Sequence, residues 1–306
     1  MVEKLLDSRC FYKVAFLLCL FSFGTPSAFS EVIYSNPVED EYGQDLKDSS
    51  LEELLFEASD QSGGEQSVKA NYLLGIIFIN GDEEWGVRRD FNRGRGYLLD
   101  AWEDGAADAG YTLASIYLKG VGVEVNHGKS LMYLRKSAEM GLLLSQRALG
   151  RAYLGGSEQW SSLLEMNVEK GLFWLEMAAN SGDIKSAMSL ASVYAQGELV
   201  DRDFEAARAW AYKWSESRYG VDVNAFEWLA RFYERGLGTE KDLVQAYKYY
   251  DLIDPSGADD KARLAEEMAS EQISEAIRQS REWQEEHNIF VPSYYNLEHQ
   301  ADGSFR

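Results

Sequence analysis

A chain of 306 residues with 51 acidic against 30 basic side chains carries a formal charge of −21. A field of that sign repels nucleic acid and anionic lipid, which excludes binding to either through the bulk surface. Four prolines with 45% apolar residues point to one extended helical domain with an ordinary amount of core.

The chain opens on a mixed basic segment (Lys4, Arg9, Lys13) followed by an apolar run from Val14 to Gly24. That run is too short to span a bilayer, which takes about 20 residues. Ala28 and Ser30 supply small side chains where a signal peptidase reads, so cleavage is expected before Glu31. Residues 1–30 therefore read as a signal peptide and the mature protein as periplasmic or secreted, with no membrane span after cleavage. Cleavage removes three basic and two acidic side chains and leaves 27 and 49, a balance of −22. It also removes both cysteines, Cys10 and Cys19, which excludes thiol catalysis, thiolate metal ligation and redox sensing in the mature chain. The sequence holds no Asn-x-Ser/Thr acceptor, which fits a bacterial periplasm.

Residues 31–48 are polar and acidic without a helical period and read as a flexible leader. Ser49-Ser50-Leu51-Glu52-Glu53 then opens a capped helix that covers the apolar edge of the first repeat. Residues 49–290 form the body, and 291–306 a tail.

Within the body one phrase comes back five times, an apolar residue followed by a small one, then an aromatic, then a glycine. It reads Leu74-Gly75…Phe78…Gly81, Leu113-Ala114…Tyr117…Gly120, Leu149-Gly150…Tyr153…Gly156, Leu190-Ala191…Tyr194…Gly197 and Leu229-Ala230…Tyr233…Gly236. A second phrase follows each, with an aromatic eight residues ahead of a glycine: Tyr97, Tyr133, Trp174, Tyr212 and Tyr249 ahead of Gly105, Gly141, Gly182, Gly220 and Gly257. Apolar residues at helical spacing closed by glycine make two helices per unit, at about residues 66–105, 106–141, 142–182, 183–220 and 221–257. The residues at the key small positions, Gly75, Ala114, Gly150, Ala191 and Ala230, are placed where the two helices of a pair come closest. Lys261 to Ala269 resembles a sixth first helix, and Ser270 to Trp283 a polar amphipathic cap, as a solenoid end requires.

The second unit carries the densest pattern: Ala109-x-x-x-Leu113-Ala114-x-x-Tyr117-x-x-Gly120-x-Gly122-Val123-x-x-Asn126-x-x-Lys129-x-x-x-Tyr133-x-x-Lys136-x-Ala138-x-x-Gly141. It resembles the Sel-1-like repeat, a relative of the tetratricopeptide repeat with a longer connecting loop. The resemblance implies an all-α fold, a right-handed superhelical α/α solenoid of about five such helix pairs with N- and C-terminal capping helices. It also implies a protein-binding scaffold or regulatory adaptor that holds a partner in the groove of its first helices. Two alternatives stay open: some cysteine-rich exported relatives bind or slowly hydrolyse β-lactams, and others are structural parts of an envelope assembly.

Catalytic signatures do not accompany the repeats. There is no G-x-S-x-G elbow, no H-E-x-x-H and no phosphate-binding loop, and Gly120-Val-Gly122 and Gly236-Leu-Gly238 are repeat turns. His127, His287 and His299 are scattered, and Asp82-Glu83-Glu84 and Asp259-Asp260 lack the alternating spacing of a calcium loop. No catalytic residue, metal or cofactor is assigned, and a non-enzymatic monomer is expected.

Interaction residues emerge from the tetratricopeptide-like frame. Five positions around each key leucine face the inner groove, and across the units they hold Lys69, Lys119, Arg147, Arg151, Lys185, Arg231 and Arg235 against Asp108, Glu227 and Glu234. Tyr72, Tyr111 and Met188 lie among them as apolar anchors. Two readings stand: the basic side chains form a patch for an acidic protein segment or an anionic polymer, or they pair with acidic neighbours and leave none. Loop insertions at Asp82–Trp85, Ser157–Asn167 and Arg202–Ala207 are either tolerated variation or a second contact surface. Trp85 and Trp160, with no packing role inside a repeat, are the candidate loop contacts.

Overall fold

The computed structural model describes residues 32–34, 41–60, 64–156, 159–217 and 220–295, so the signal segment, residue 31 and the end of the tail lie outside the described residues. Two short helices, α1 (Glu41–Asp48) and α2 (Leu51–Ala58), precede five helix pairs. The pairs are α3 (Glu65–Asn80) with α4 (Phe91–Glu103), α5 (Ala107–Lys119) with α6 (His127–Glu139), α7 (Leu143–Tyr153) with α8 (Val168–Asn180), α9 (Ile184–Gln196) with α10 (Phe204–Ser215) and α11 (Asn224–Arg235) with α12 (Leu243–Asp251). Helices α13 (Ala258–Ala265) and α14 (Ser270–His287) come after them. Each first helix packs on its own second helix, and each second helix packs on the next first helix. The result is the all-α solenoid expected from the repeats. No helix among the described residues is long and apolar enough to cross a membrane.

One device holds every pair in register. A short polar residue, Asp90, Asn126, Asn167, Asp203 or Asp242, caps the second helix through its side chain. The backbone N–H of that same residue donates to the carbonyl of the pair's consensus aromatic, Phe78, Tyr117, Tyr153, Tyr194 or Tyr233, at 2.8, 2.8, 2.9, 3.0 and 2.9 Å. The loop is thus pinned at both ends, and extra residues in the first and third pairs bulge between fixed points without shifting the helices.

Packing explains the rest of the phrase. The five key leucines are fully buried, each stabilising the stack by about 1.5–3 kcal/mol over an exposed position. In the first, second and fifth pairs the consensus aromatic stacks on its second-helix partner, with ring centroids 5.7 Å apart for Phe78–Tyr97 and Tyr117–Tyr133 and 6.1 Å for Tyr233–Tyr249. At the crossing the second helix also supplies a small residue, four places after its cap: Gly94, Ser130, Gly171, Ala207 and Ala246, all buried. A Cβ at Gly94 would stand 2.8 Å from the Gly75 carbonyl oxygen, so these backbones touch. Gly96, on the same helix with nothing within 4 Å of a Cβ, is a contrasting case. Gly96→Ala should raise stability by about 0.5–1 kcal/mol, read as a higher denaturation midpoint.

Three expectations need correction. The leader is not irregular throughout, since Glu41–Asp48 is helical, with Leu46 in the cluster of Leu54, Leu73 and Leu74 and Asp45 paired to Lys69 at 2.6 Å. A polar sequence is helical there because tertiary contacts hold it, which no local period reveals. Gly220 does not close a helix: α10 ends at Ser215, and a two-residue hairpin pairs Glu216–Ser217 with Gly220–Val221. Gly257 is the residue before α13, in a right-handed conformation, and not the stop of α12. The other end is closed by a buried polar network, in which Asp251 accepts from Lys261 at 2.8 Å and from Ser280 at 2.7 Å, and Gln284 donates to Ser280 at 3.0 Å. These bonds tie α12, α13 and α14 into one cap. The acidic loop residues act locally: Asp82 accepts from the Trp85 N–H, and Asp260 pairs with Arg263.

Candidate functional site

The expected inner-face positions lie on the first helices α3, α5, α7, α9 and α11, where those of the first two units meet residues 32–34 and those of the third and fourth line open cavities. The structure divides that face into a filled half and an open half.

Residues Val32–Tyr34 lie on the filled half. The Ile33 N–H donates to Asp108 Oδ2 at 2.8 Å, and the Ile33 side chain joins the cluster that holds Tyr72, Ile76 and Tyr111. Tyr34 meets Tyr72 at 5.8 Å between centroids, with the Lys69 ammonium 6.0 Å from its ring centre. Burial, reinforced by the Asp45 carboxylate, pushes the Tyr34 phenol well above its ordinary range.

At the middle of the stack Arg147 on α7 pairs with Asp183 at the start of α9, 2.5 Å apart. The Asp183 carboxylate is 1% exposed and also accepts from the Ser186 N–H and hydroxyl at 2.9 and 2.6 Å, so it caps α9 while neutralising Arg147. Trp160 does not wait on a loop for a partner. It is 1% exposed, donates its indole N–H to Ser130 Oγ at 2.9 Å, and lies 5.7 Å from the Tyr111 ring. The insertion thereby folds back as a wall of a polar cavity of about 370 Å³ that Tyr111, Leu144, Arg147 and Arg151 share. Burial pushes the Tyr111 phenol up, against the pull of the Arg147 charge. Trp85 is half-buried beside the first-repeat cluster and likewise serves its own loop.

Beyond Arg151 the face turns apolar. A second cavity, of about 430 Å³, is lined by Leu154, Leu175, Met188, Val193, Trp214 and Trp228, with Arg151 at its edge. The two indoles meet edge-on at 5.8 Å, and Trp214 is oriented by donating its N–H to Asp222 at 2.8 Å. Ser189 and Ser192 also border it, but Ser189 donates to the Lys185 carbonyl and Ser192 accepts from Gln196, so neither hydroxyl is paired with a base. A third cavity, of about 360 Å³, lies beside Arg147, Lys185 and Val223.

The charges divide between the two readings. Lys69, Arg147 and Arg231 are paired, with Asp45, Asp183 and Glu227. Asp108 holds Ile33, and Glu234 is taken by Arg263 and the Tyr250 hydroxyl. Lys119, Arg151, Lys185 and Arg235 form no ion pair among the described residues, and all four are exposed. Arg151 lines both the cavity walled by Trp160 and the one walled by Trp214 and Trp228, whereas Lys185 lines only the third. The tetratricopeptide-like frame finds Arg151 and Met188 but misses both tryptophans. Trp228 sits one residue before its key leucine, outside the five frame positions, and Trp214 belongs to a second helix.

Comparison with known proteins bears on the whole stack. The Sel1 repeat family model matches residues 68–101, 107–142, 143–183, 184–219 and 225–252. The chain is 27% identical over 158 residues to the Sel1-repeat-containing protein YjcO of Escherichia coli K12, across 50% of this chain and 62% of that relative. Its fold superposes on the crystal structure of c5321, a protective antigen present in uropathogenic Escherichia coli strains displaying an SLR fold. That match has a TM-score of 0.54 and 25% identity, covering 80% of this chain and 50% of the other. A Sel1 repeat protein from Oxalobacter formigenes gives 0.51 at 24% identity over 69% of this chain and 82% of its own, a likeness of fold alone. The chain thus spans less than two thirds of YjcO and half of c5321.

Proposed function

Because the chain belongs to the Sel1 repeat family, whose repeats are generally protein-interaction scaffolds, we propose that it is an exported, monomeric, non-catalytic scaffold or adaptor of a bacterial envelope. Its partner is a protein segment that seats an apolar side chain in the cavity walled by Trp214 and Trp228 and sets an acidic residue against Arg151. The observation that carries this reading is the juxtaposition of an open, tryptophan-walled cavity with a cation that no described carboxylate neutralises. Desolvated aromatic pockets edged by arginine are where interface energy concentrates, and the charge contributes register and encounter rate. The β-lactam alternative gains no support, since the cavity's serines are engaged without a base.

Capture of the partner by the tagged protein after mild crosslinking tests the site. Arg151→Glu with Met188→Glu, both exposed, should abolish capture while the far-ultraviolet circular dichroism stays unchanged, and capture by the wild type should fall as salt rises. Capture that survives the double reversal moves the site off this face. Export rests on the apolar run and the Ala28-x-Ser30 site. Intact mass of protein from the envelope fraction should lack residues 1–30, and a full-length mass in the membrane pellet would make the segment an anchor.

A further inference from the structure

On the filled half of the inner face, Ile33 and Asp108 are 75 residues apart, so their bond is a tertiary event and not a turn. Asp108 sits in the first turn of α5, 5% exposed, and a carboxylate so placed requires hydrogen-bond donors. It takes one from a main-chain N–H of a segment that belongs to no repeat. Side chains on either side of that bond divide the recognition: Ile33 enters the apolar cluster between the first two units, and Tyr34 lies against Tyr72 under Lys69. A main-chain hydrogen bond that fixes the register, combined with pockets for successive side chains, is how a protein surface reads a short peptide.

We propose that the groove of the first two repeats is a peptide-binding site for a segment that carries an aliphatic residue followed by tyrosine, and that Val32–Tyr34 of the same chain, bent at Ile33, is its resident, intramolecular ligand. The segment plugs this half, so a partner lacking such a pair is confined to the third, fourth and fifth repeats. A partner that carries one must displace the plug. The inference rests on the groove being a binding face but not on the cavity at Arg151.

The test uses the full-length chain and one probe, a synthetic peptide of residues 31–40 with a C-terminal fluorophore, read by anisotropy. Ile33→Asp with Tyr34→Asp should release the plug, and the released chain should bind the probe at least tenfold more tightly than the wild type, whose site is filled. Adding Asp108→Ala to the released chain should weaken the probe at least tenfold, Asp108→Asn less, and a probe carrying Ile33→Asp should bind tenfold worse than the native peptide. Equal binding to wild type and released chain overturns the proposal, as does absence of binding to a released chain whose circular dichroism is native. A wild-type dimer that the release mutations dissolve, seen by analytical ultracentrifugation, overturns the intramolecular assignment in favour of exchange between copies. Partner capture that depends on Arg151 reports separately, so either reading can fail without the other.

Discussion

Replacing Gly150 by leucine is expected to destabilise the stack by about 3 kcal/mol, the upper end of the usual cost of overpacking. The melting temperature should fall by roughly 6–12 °C, at about 2–4 °C per kcal/mol for a body of this size. The position allows no accommodation. A Cβ there would lie 2.7 and 2.9 Å from Leu175 Cγ and Cδ2 and 3.0 Å from the Gly171 carbonyl oxygen, and backbone cannot rotate away as a side-chain tip can. Gly171 faces it with the same problem, its Cβ position 3.1 Å from the Gly150 oxygen. Helices α7 and α8 therefore cross at backbone contact, and any side chain at either glycine forces them apart along with Leu175, a fully buried leucine. Because each unit touches only its neighbours, hydrogen exchange should show the loss centred on the third pair and fading toward the ends. A melting temperature within about 2 °C of wild type would mean that the crossing is drawn at the wrong residues.

Removing the Asp183 carboxylate is expected to cost more, about 3–5 kcal/mol for Asp183→Ala. Losing one partner of a buried pair strands the other charge without a counter-ion. Arg147 is only 15% exposed, so its guanidinium keeps little water when the carboxylate goes. The same substitution removes the side-chain cap of α9, leaving the Ser186 N–H and hydroxyl without their acceptor. Asp183→Asn keeps an acceptor for the cap and discards the charge, and should fall between wild type and alanine in urea denaturation. A loss below about 1 kcal/mol for alanine would show that the pair is solvated in solution. Asp183→Asn also bares Arg147 on the partner face, so a folded variant should bind an acidic partner with a steeper salt dependence than the wild type.

Much of the architecture is legible in the residues alone. The five Leu-small-aromatic phrases locate each first helix, because burial of those leucines and stacking of those aromatics is what a repeat needs from its residues. Ser50 and Glu53 announce α2, and they form the reciprocal cap that their spacing implies. The small residues of the second helices are harder to see. Gly94 and Gly171 look like helix weaknesses until the opposing backbone is present to require them.

The site is legible only as a set of positions. Which face the first helices present, and that Arg151 and Met188 stand on it, comes from periodicity, since a residue's side of a helix is a local property. Whether a charge on that face is free is not local. Lys69 finds Asp45 on α1, Arg147 finds Asp183 at the start of the next first helix, and Arg231 finds Glu227 one turn back on its own. Only the last of these lies at a spacing that the sequence makes readable. Trp160 reads as a partner contact because its loop matches no repeat, yet Ser130 and Tyr111 absorb it. Residues 32–34 carry no signal at all, because what orders them is a carboxylate 75 residues away. By itself the sequence determined the five helix pairs and their order, which depend on residues within one repeat of each other. Tertiary structure alone decided which charges survive unpaired, which tryptophans wall the groove and what occupies its first half, since those depend on contacts between units that no local period encodes.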